Sequence, residues 1–136
     1  MPGGPVLDNP ESYVAFVAIK LVGYSVAAVV LNKHFEGTPR NPLIVGTVRT
    51  LIGMVFGAIV GIVGFWQLDL AVSFFLFALV PVRILEWWIV LRLFYWADEP
   101  NRNKFPYAIA LACVWSFILD IPAIIGFIAT GGFWIC

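Results

Sequence analysis

Charge is scarce in this sequence. Asp, Glu, Lys and Arg supply 12% of its 136 residues, against about 25% in ordinary soluble domains. The eight acidic and eight basic residues cancel, so no net field draws the chain to nucleic acid. Histidine occurs once, as His34, in a polar stretch beside Lys33 and Glu36. One histidine and two cysteines do not make a convergent ligand set, so no metal or cofactor is expected. The sequence has no glycine-rich phosphate loop, no Cys-x-x-Cys pair and no nucleophile elbow, and it offers no catalytic residue. Cys113 falls in mid-helix and Cys136 at the chain end, too far apart along one axis to pair with each other. The first residues lack the basic segment of a signal peptide, so the first apolar block is expected to stay in the mature chain.

What the chain does have is apolar length. Hydrophobic residues make up 62% of it, in long continuous blocks rather than alternating ones. A helix satisfies its own backbone hydrogen bonds in lipid, and about 20 apolar residues carry it across about 30 Å of hydrocarbon. The expected fold is an all-α, polytopic four-transmembrane-helix bundle forming a single domain over 1–136. Its spans are placed at about 13–31, 42–65, 70–96 and 106–127. Trp66, Gln67, Leu68 and Asp69 read as a short turn between spans two and three. Tyr95, Trp96, Tyr107 and Trp134 fall near span ends, where an aromatic belt belongs.

The loops fix an expected orientation. Lys33 and Arg40 lie in loop 32–41, and Arg102 and Lys104 in loop 97–105, with Arg92 at its edge. The two tails and the middle turn carry no Lys or Arg. Both basic loops are therefore expected in the cytoplasm and both termini outside, in a plasma or bacterial inner membrane.

Five ionisable residues interrupt the apolar blocks: Lys20, Arg49, Arg83, Glu86 and Asp120. Each costs about 2.5–3.5 kcal/mol at a helix centre on the insertion scale. Counting helical rise from the cytoplasmic ends puts Arg49 at ~10 Å depth, Glu86 at ~14 Å, Lys20 at ~16 Å, Arg83 at ~18 Å and Asp120 at ~21 Å. They should form one layer, in two groups, Lys20/Arg49/Glu86 and Arg83/Asp120. Arg83 and Glu86 are also i,i+3 neighbours. Three basic groups and two acidic ones leave one positive charge over. An anion, a lipid phosphate or a Lys20 without its proton would absorb it. Lys20 shares a face with Gly23 and Tyr24, Arg49 with Gly46 and Gly53, and Asp120 with Cys113 and Ser116.

Gly53, Gly57 and Gly61 recur every fourth residue and mark a helix-packing groove, facing another span or another copy of the chain. Pro81 and Pro122 flank the charged layer, where each removes a backbone hydrogen bond, as static kinks or beside a cavity.

Three function classes follow. The first is a transporter or channel for a small anionic or proton-coupled solute, with the five charged residues as its site. The second is a structural or accessory subunit of a larger membrane complex, with the charges as keys between helices. The third is an intramembrane enzyme acting on lipid phosphates. The expected partners are membrane lipids and either further copies of the chain or the other subunits of a membrane complex.

Overall fold

The computed structural model describes residues 10–35, 37, 39–67, 72–96 and 99–130. Over these residues the chain is helical, with no strand. Helix α1 spans Pro10–His34, α2 Pro42–Gln67, α3 Val72–Tyr95 and α4 Phe105–Thr130. A 3-10 segment, Glu99–Lys104, leads directly into α4. Helices of 24 to 26 residues are about 36–39 Å long. Among the described residues, three segments are long and apolar enough to cross a membrane: Val14–His34, Pro42–Val60 and Arg102–Pro122. Helix α3 is of similar length and carries Arg83, Glu86 and Arg92. Helix α2 continues through Trp66 and Gln67, which the sequence places in a turn; Leu68 and Asp69 lie outside the described residues.

Local chemistry sets the helix ends. Asn41 caps α2: its side-chain oxygen accepts from the Leu43 amide at 3.0 Å, and its carbonyl accepts from Val45 at 3.1 Å. Pro42, which has no amide hydrogen to satisfy, fills the first helical position. Pro106 serves the first turn of α4 in the same way. Gly37, with φ of 126°, turns the chain after α1 in a conformation that side chains disfavour.

Consecutive helices pack side by side, and α1 closes on α4. Cross-links at one end fix their directions. The Asn32 amide donates to the Arg40 carbonyl at 2.6 Å, and its oxygen accepts from the Arg40 amide at 3.1 Å and from Tyr95 Oη at 2.8 Å. Arg40 Nε donates to the Phe94 carbonyl, and Lys104 Nζ to the His34 carbonyl. The ends of α1 and α3 thus meet the starts of α2 and α4, and both basic loops share this end. Phe35 stacks on Tyr95 with ring centres 5.0 Å apart and touches Phe105, which meets Trp96 edge-on. Tyr95, expected in an outer belt, is buried in this aromatic plug, whereas Tyr107 is exposed. Removing the Asn32 clamp should loosen the loop. In Asn32→Ala, exchange of the Arg40 amide should rise about tenfold, the effect of roughly one lost hydrogen bond. Hydrogen exchange that is unchanged at Arg40 would contradict this.

The outer faces are apolar on all four helices: Val22 and Val30 on α1, Leu51 and Val55 on α2, Phe77 and Leu93 on α3, Leu111 and Ile125 on α4 are exposed. Away from the basic end, polar residues in the helices turn inward or onto their own backbone. The hydroxyls of Ser25, Thr47 and Thr50 donate to the carbonyls of Leu21, Leu43 and Gly46, one turn back. Pro81 and Pro122 sit inside unbroken helices and are exposed. The carbonyls they leave without a helical donor, on Phe77 and Ile118, share those outward faces, so neither proline opens the backbone toward the charged interior.

The backbones of α1 and α2 come close at Gly46. A Cβ there would collide with Ser25 Oγ and stand 2.9 Å from the Ser25 nitrogen and 3.2 Å from the Leu21 oxygen. The small residue thus lets α1 and α2 touch. Gly53 is buried within the chain and Gly57 is half-buried. The surroundings of Gly61 lie outside the described residues.

Candidate functional site

Lys20, Arg49, Arg83, Glu86 and Asp120, the five charged residues inside the apolar stretches of the helices, meet in one interior network, and each helix supplies at least one. On α1, Phe16, Lys20 and Tyr24 succeed one another at four-residue spacing, so one face carries an amine between two rings. Lys20 Nζ lies 5.1 Å from the centre of Phe16 and 5.7 Å from that of Tyr24, and it forms an ion pair with Asp120 of α4. The other oxygen of Asp120 accepts from Arg83 Nη2 of α3 at 3.0 Å. Arg83 Nη1 reaches Glu86 Oε2, also at 3.0 Å, one helical turn further on. The same oxygen accepts from Arg49 Nη2 of α2 at 2.6 Å. The order is Lys20–Asp120–Arg83–Glu86–Arg49, a continuous chain of charge crossing the bundle.

This order corrects the expected grouping. Arg83 pairs with Asp120 and Glu86, and Arg49 with Glu86, but Lys20 belongs with Asp120 rather than with Glu86. Depth along the axis put Lys20 nearer Glu86. The packing of α1 against α4 and the reach of a four-carbon side chain outweigh a few ångströms of axial offset. Two separate groups become one, with Arg83 as the bridge.

Burial is nearly complete. Lys20, Arg49, Arg83 and Glu86 are buried, and only Asp120 keeps side-chain exposure, at 13%. Three cations and two carboxylates leave a formal charge of +1. The network begins and ends in a cation, and unsatisfied donors lie at its Arg49 end. Arg49 shares its carboxylate oxygen with Arg83, and its Nε and Nη1 have no hydrogen-bond partner. The guanidinium is instead flanked by Tyr24, 4.6 Å from its carbon, and Trp87, 5.0 Å away. Ring faces offset part of the cost of burying a cation. They do not replace hydrogen bonds, and an unsatisfied buried donor costs about 1–3 kcal/mol, more when charged.

Tyr24, Trp87 and Ser116 belong to the site although the sequence does not mark them as such. Tyr24 and Trp87 meet edge-to-face at 5.8 Å, and Trp87 Nε1 donates to Ser116 Oγ at 2.8 Å. The available signals were position on the Lys20 face for Tyr24, position on the Asp120 face for Ser116, and adjacency to Glu86 for Trp87. The Trp87–Trp88 pair divides: Trp87 is fully buried over Arg49, while Trp88 faces outward. Cys113 is a buried free thiol, and Cys136 lies outside the described residues. No protein-family model, no curated protein and no solved structure matches this chain.

Proposed function

We propose that the chain is an integral membrane protein of four spanning helices, the basic loops cytoplasmic and the termini outside, that transports a small monovalent anion in exchange for, or together with, protons. The apolar exterior of all four helices and the clustering of both basic loops at one end support the membrane reading. One observation carries the transport reading. The interior network holds one more cation than anion, and at one end of it two guanidinium nitrogens of Arg49, Nε and Nη1, have no hydrogen-bond partner. A small monovalent anion would neutralise the network and satisfy those donors. Asp120, the one partly exposed member, bridges Lys20 and Arg83 and is the natural entry point for a proton.

A second reading draws on the same bridges. Asp120 joins α1 to α3 and Glu86 joins α2 to α3, so the network also specifies which helix meets which, as a subunit of a larger complex requires. Native mass spectrometry of protein extracted gently from its own membranes separates the two. Transport predicts a homo-oligomer or monomer that retains an anion, with the anion lost in Arg49→Met. Stoichiometric copurification of other chains, with no anion on the wild type, would favour the subunit reading and count against transport.

A further inference from the structure

We propose that the outward face of α3 at the basic end binds the headgroup of an anionic phospholipid between Arg92 and Arg102. This inference rests on the membrane reading but not on transport. Five basic residues lie at this end: Lys33, Arg40, Arg92, Arg102 and Lys104. Arg40 and Lys104 each donate to a carbonyl of a helix C-terminus, Phe94 and His34, where a cation also meets the negative end of the helix dipole. Arg92 and Arg102 are placed differently. Arg92 Cζ lies 5.0 Å from the ring of Trp88 and 4.9 Å from that of Trp96, and Arg102 Cζ lies 4.9 Å from Trp96. Two like charges are thus held against one indole. Among the described residues neither guanidinium has a carboxylate or hydrogen-bond partner.

The surroundings select the ligand. Arg92 stands one turn from the end of α3, and Leu85, Trp88 and Leu93 near it are exposed apolar side chains. A guanidinium at this height on a lipid-facing surface reaches the phosphate layer by extending along its helix. The indole holds the guanidinium carbon within 5.0 Å of its ring centre without using a carboxylate among the described residues, and guanidinium N–H edges match phosphate oxygens in pairs. The indole and leucines below offer a bed for acyl chains. A ligand carrying both a phosphate and hydrocarbon fits both features, and a net negative headgroup offsets two cations where a zwitterionic one does not. Anionic lipids are also concentrated in the cytoplasmic leaflet, the side to which this end is assigned.

The test uses the purified full-length protein, stripped of lipid in a neutral detergent. It is titrated with phosphatidylglycerol or with phosphatidylcholine of the same chains, and bound lipid is counted by native mass spectrometry. The wild type should prefer phosphatidylglycerol by about tenfold or more. Arg92→Gln combined with Arg102→Gln should bind the two lipids equally, with an unchanged thermal midpoint because both residues are exposed. Inorganic phosphate at equal concentration should not displace the lipid. No preference in the wild type, a preference that survives in the double variant, or displacement by free phosphate would each overturn the proposal. Alkaline carbonate extraction tests the underlying reading separately. Release from the membrane would refute membrane embedding itself, whereas a retained protein without lipid preference refutes only this site.

Discussion

Glu86→Gln should be the most damaging single substitution in the network, costing about 3–5 kcal/mol, the range for breaking a buried ion pair. Glu86 Oε2 is the common acceptor of Arg49 and Arg83, so the change leaves Arg49 without any carboxylate. It also raises the formal charge of the network from +1 to +2. A guanidinium in an apolar interior cannot relieve this by giving up its proton. Asp120→Asn raises the charge equally, but Asp120 keeps 13% side-chain exposure, so the pair it breaks lies at the partly exposed end of the network rather than in the closed interior. Asp120→Asn should therefore cost less than Glu86→Gln. Arg49→Met goes the other way: two cations then face two carboxylates, and a methionine fills the space between Tyr24 and Trp87 with a favourable sulfur–ring contact. Its cost should stay below about 1.5 kcal/mol, within the range for volume-conserving core changes. Glu86→Gln combined with Arg49→Met should be more stable than Glu86→Gln alone, because no orphaned guanidinium remains at that end. Unfolding midpoints of these four variants in one lipid-like medium give the order. If Asp120→Asn proves as damaging as Glu86→Gln, exposure of the broken pair does not set its cost.

Gly46→Ala should cost about 1–3 kcal/mol, far more than its size suggests. The new methyl carbon would meet the Ser25 nitrogen at 2.9 Å and the Leu21 oxygen at 3.2 Å, both backbone atoms, besides Ser25 Oγ. None of the backbone can turn aside, so α1 and α2 must separate. Arg49 lies one turn further along the same helix, and the separation would carry it away from Tyr24. Gly23→Ala is the control. There the close atoms, at 2.5 and 2.6 Å, are the ends of the Leu119 side chain, which can change rotamer. Thermal unfolding should show a loss at Gly46 several times that at Gly23. Equal losses would mean that the contact between α1 and α2 is not a tight one.

Much of the helical architecture is legible because its cause is local. Apolar blocks of spanning length are visible without any tertiary information, and Asn41-Pro42 announces the start of α2 by its chemistry. The charged residues stand out because each opposes its surroundings. What the sequence obscures is rotation about the helix axes. Each helix is apolar on its outward-facing and bundle-facing sides alike, so no periodic contrast says which way Trp87 and Trp88 point. The same ambiguity hides Tyr95, whose ring closes the basic end from within while Tyr107 faces outward. Depth counting brings Arg83 and Asp120 to one level but cannot choose between Glu86 and Asp120 for Lys20, because that choice follows from which helices are adjacent. Glycine spacing draws attention to Gly53, Gly57 and Gly61. The tight crossing at Gly46 depends on Ser25 in a different helix, and no single-helix pattern contains that information.

Anion flux into proteoliposomes is the most direct test of the proposal that this network moves an anion. Purified wild-type protein, reconstituted with an imposed pH gradient, should take up a small monovalent anion at a rate well above that of empty vesicles. Arg49→Met and Asp120→Asn, each shown to be folded by its unfolding midpoint, should bring uptake down to that of empty vesicles. Uptake by both variants at the wild-type rate, or none by the wild type for any small anion tried, would contradict transport and leave the charged network as an architectural key.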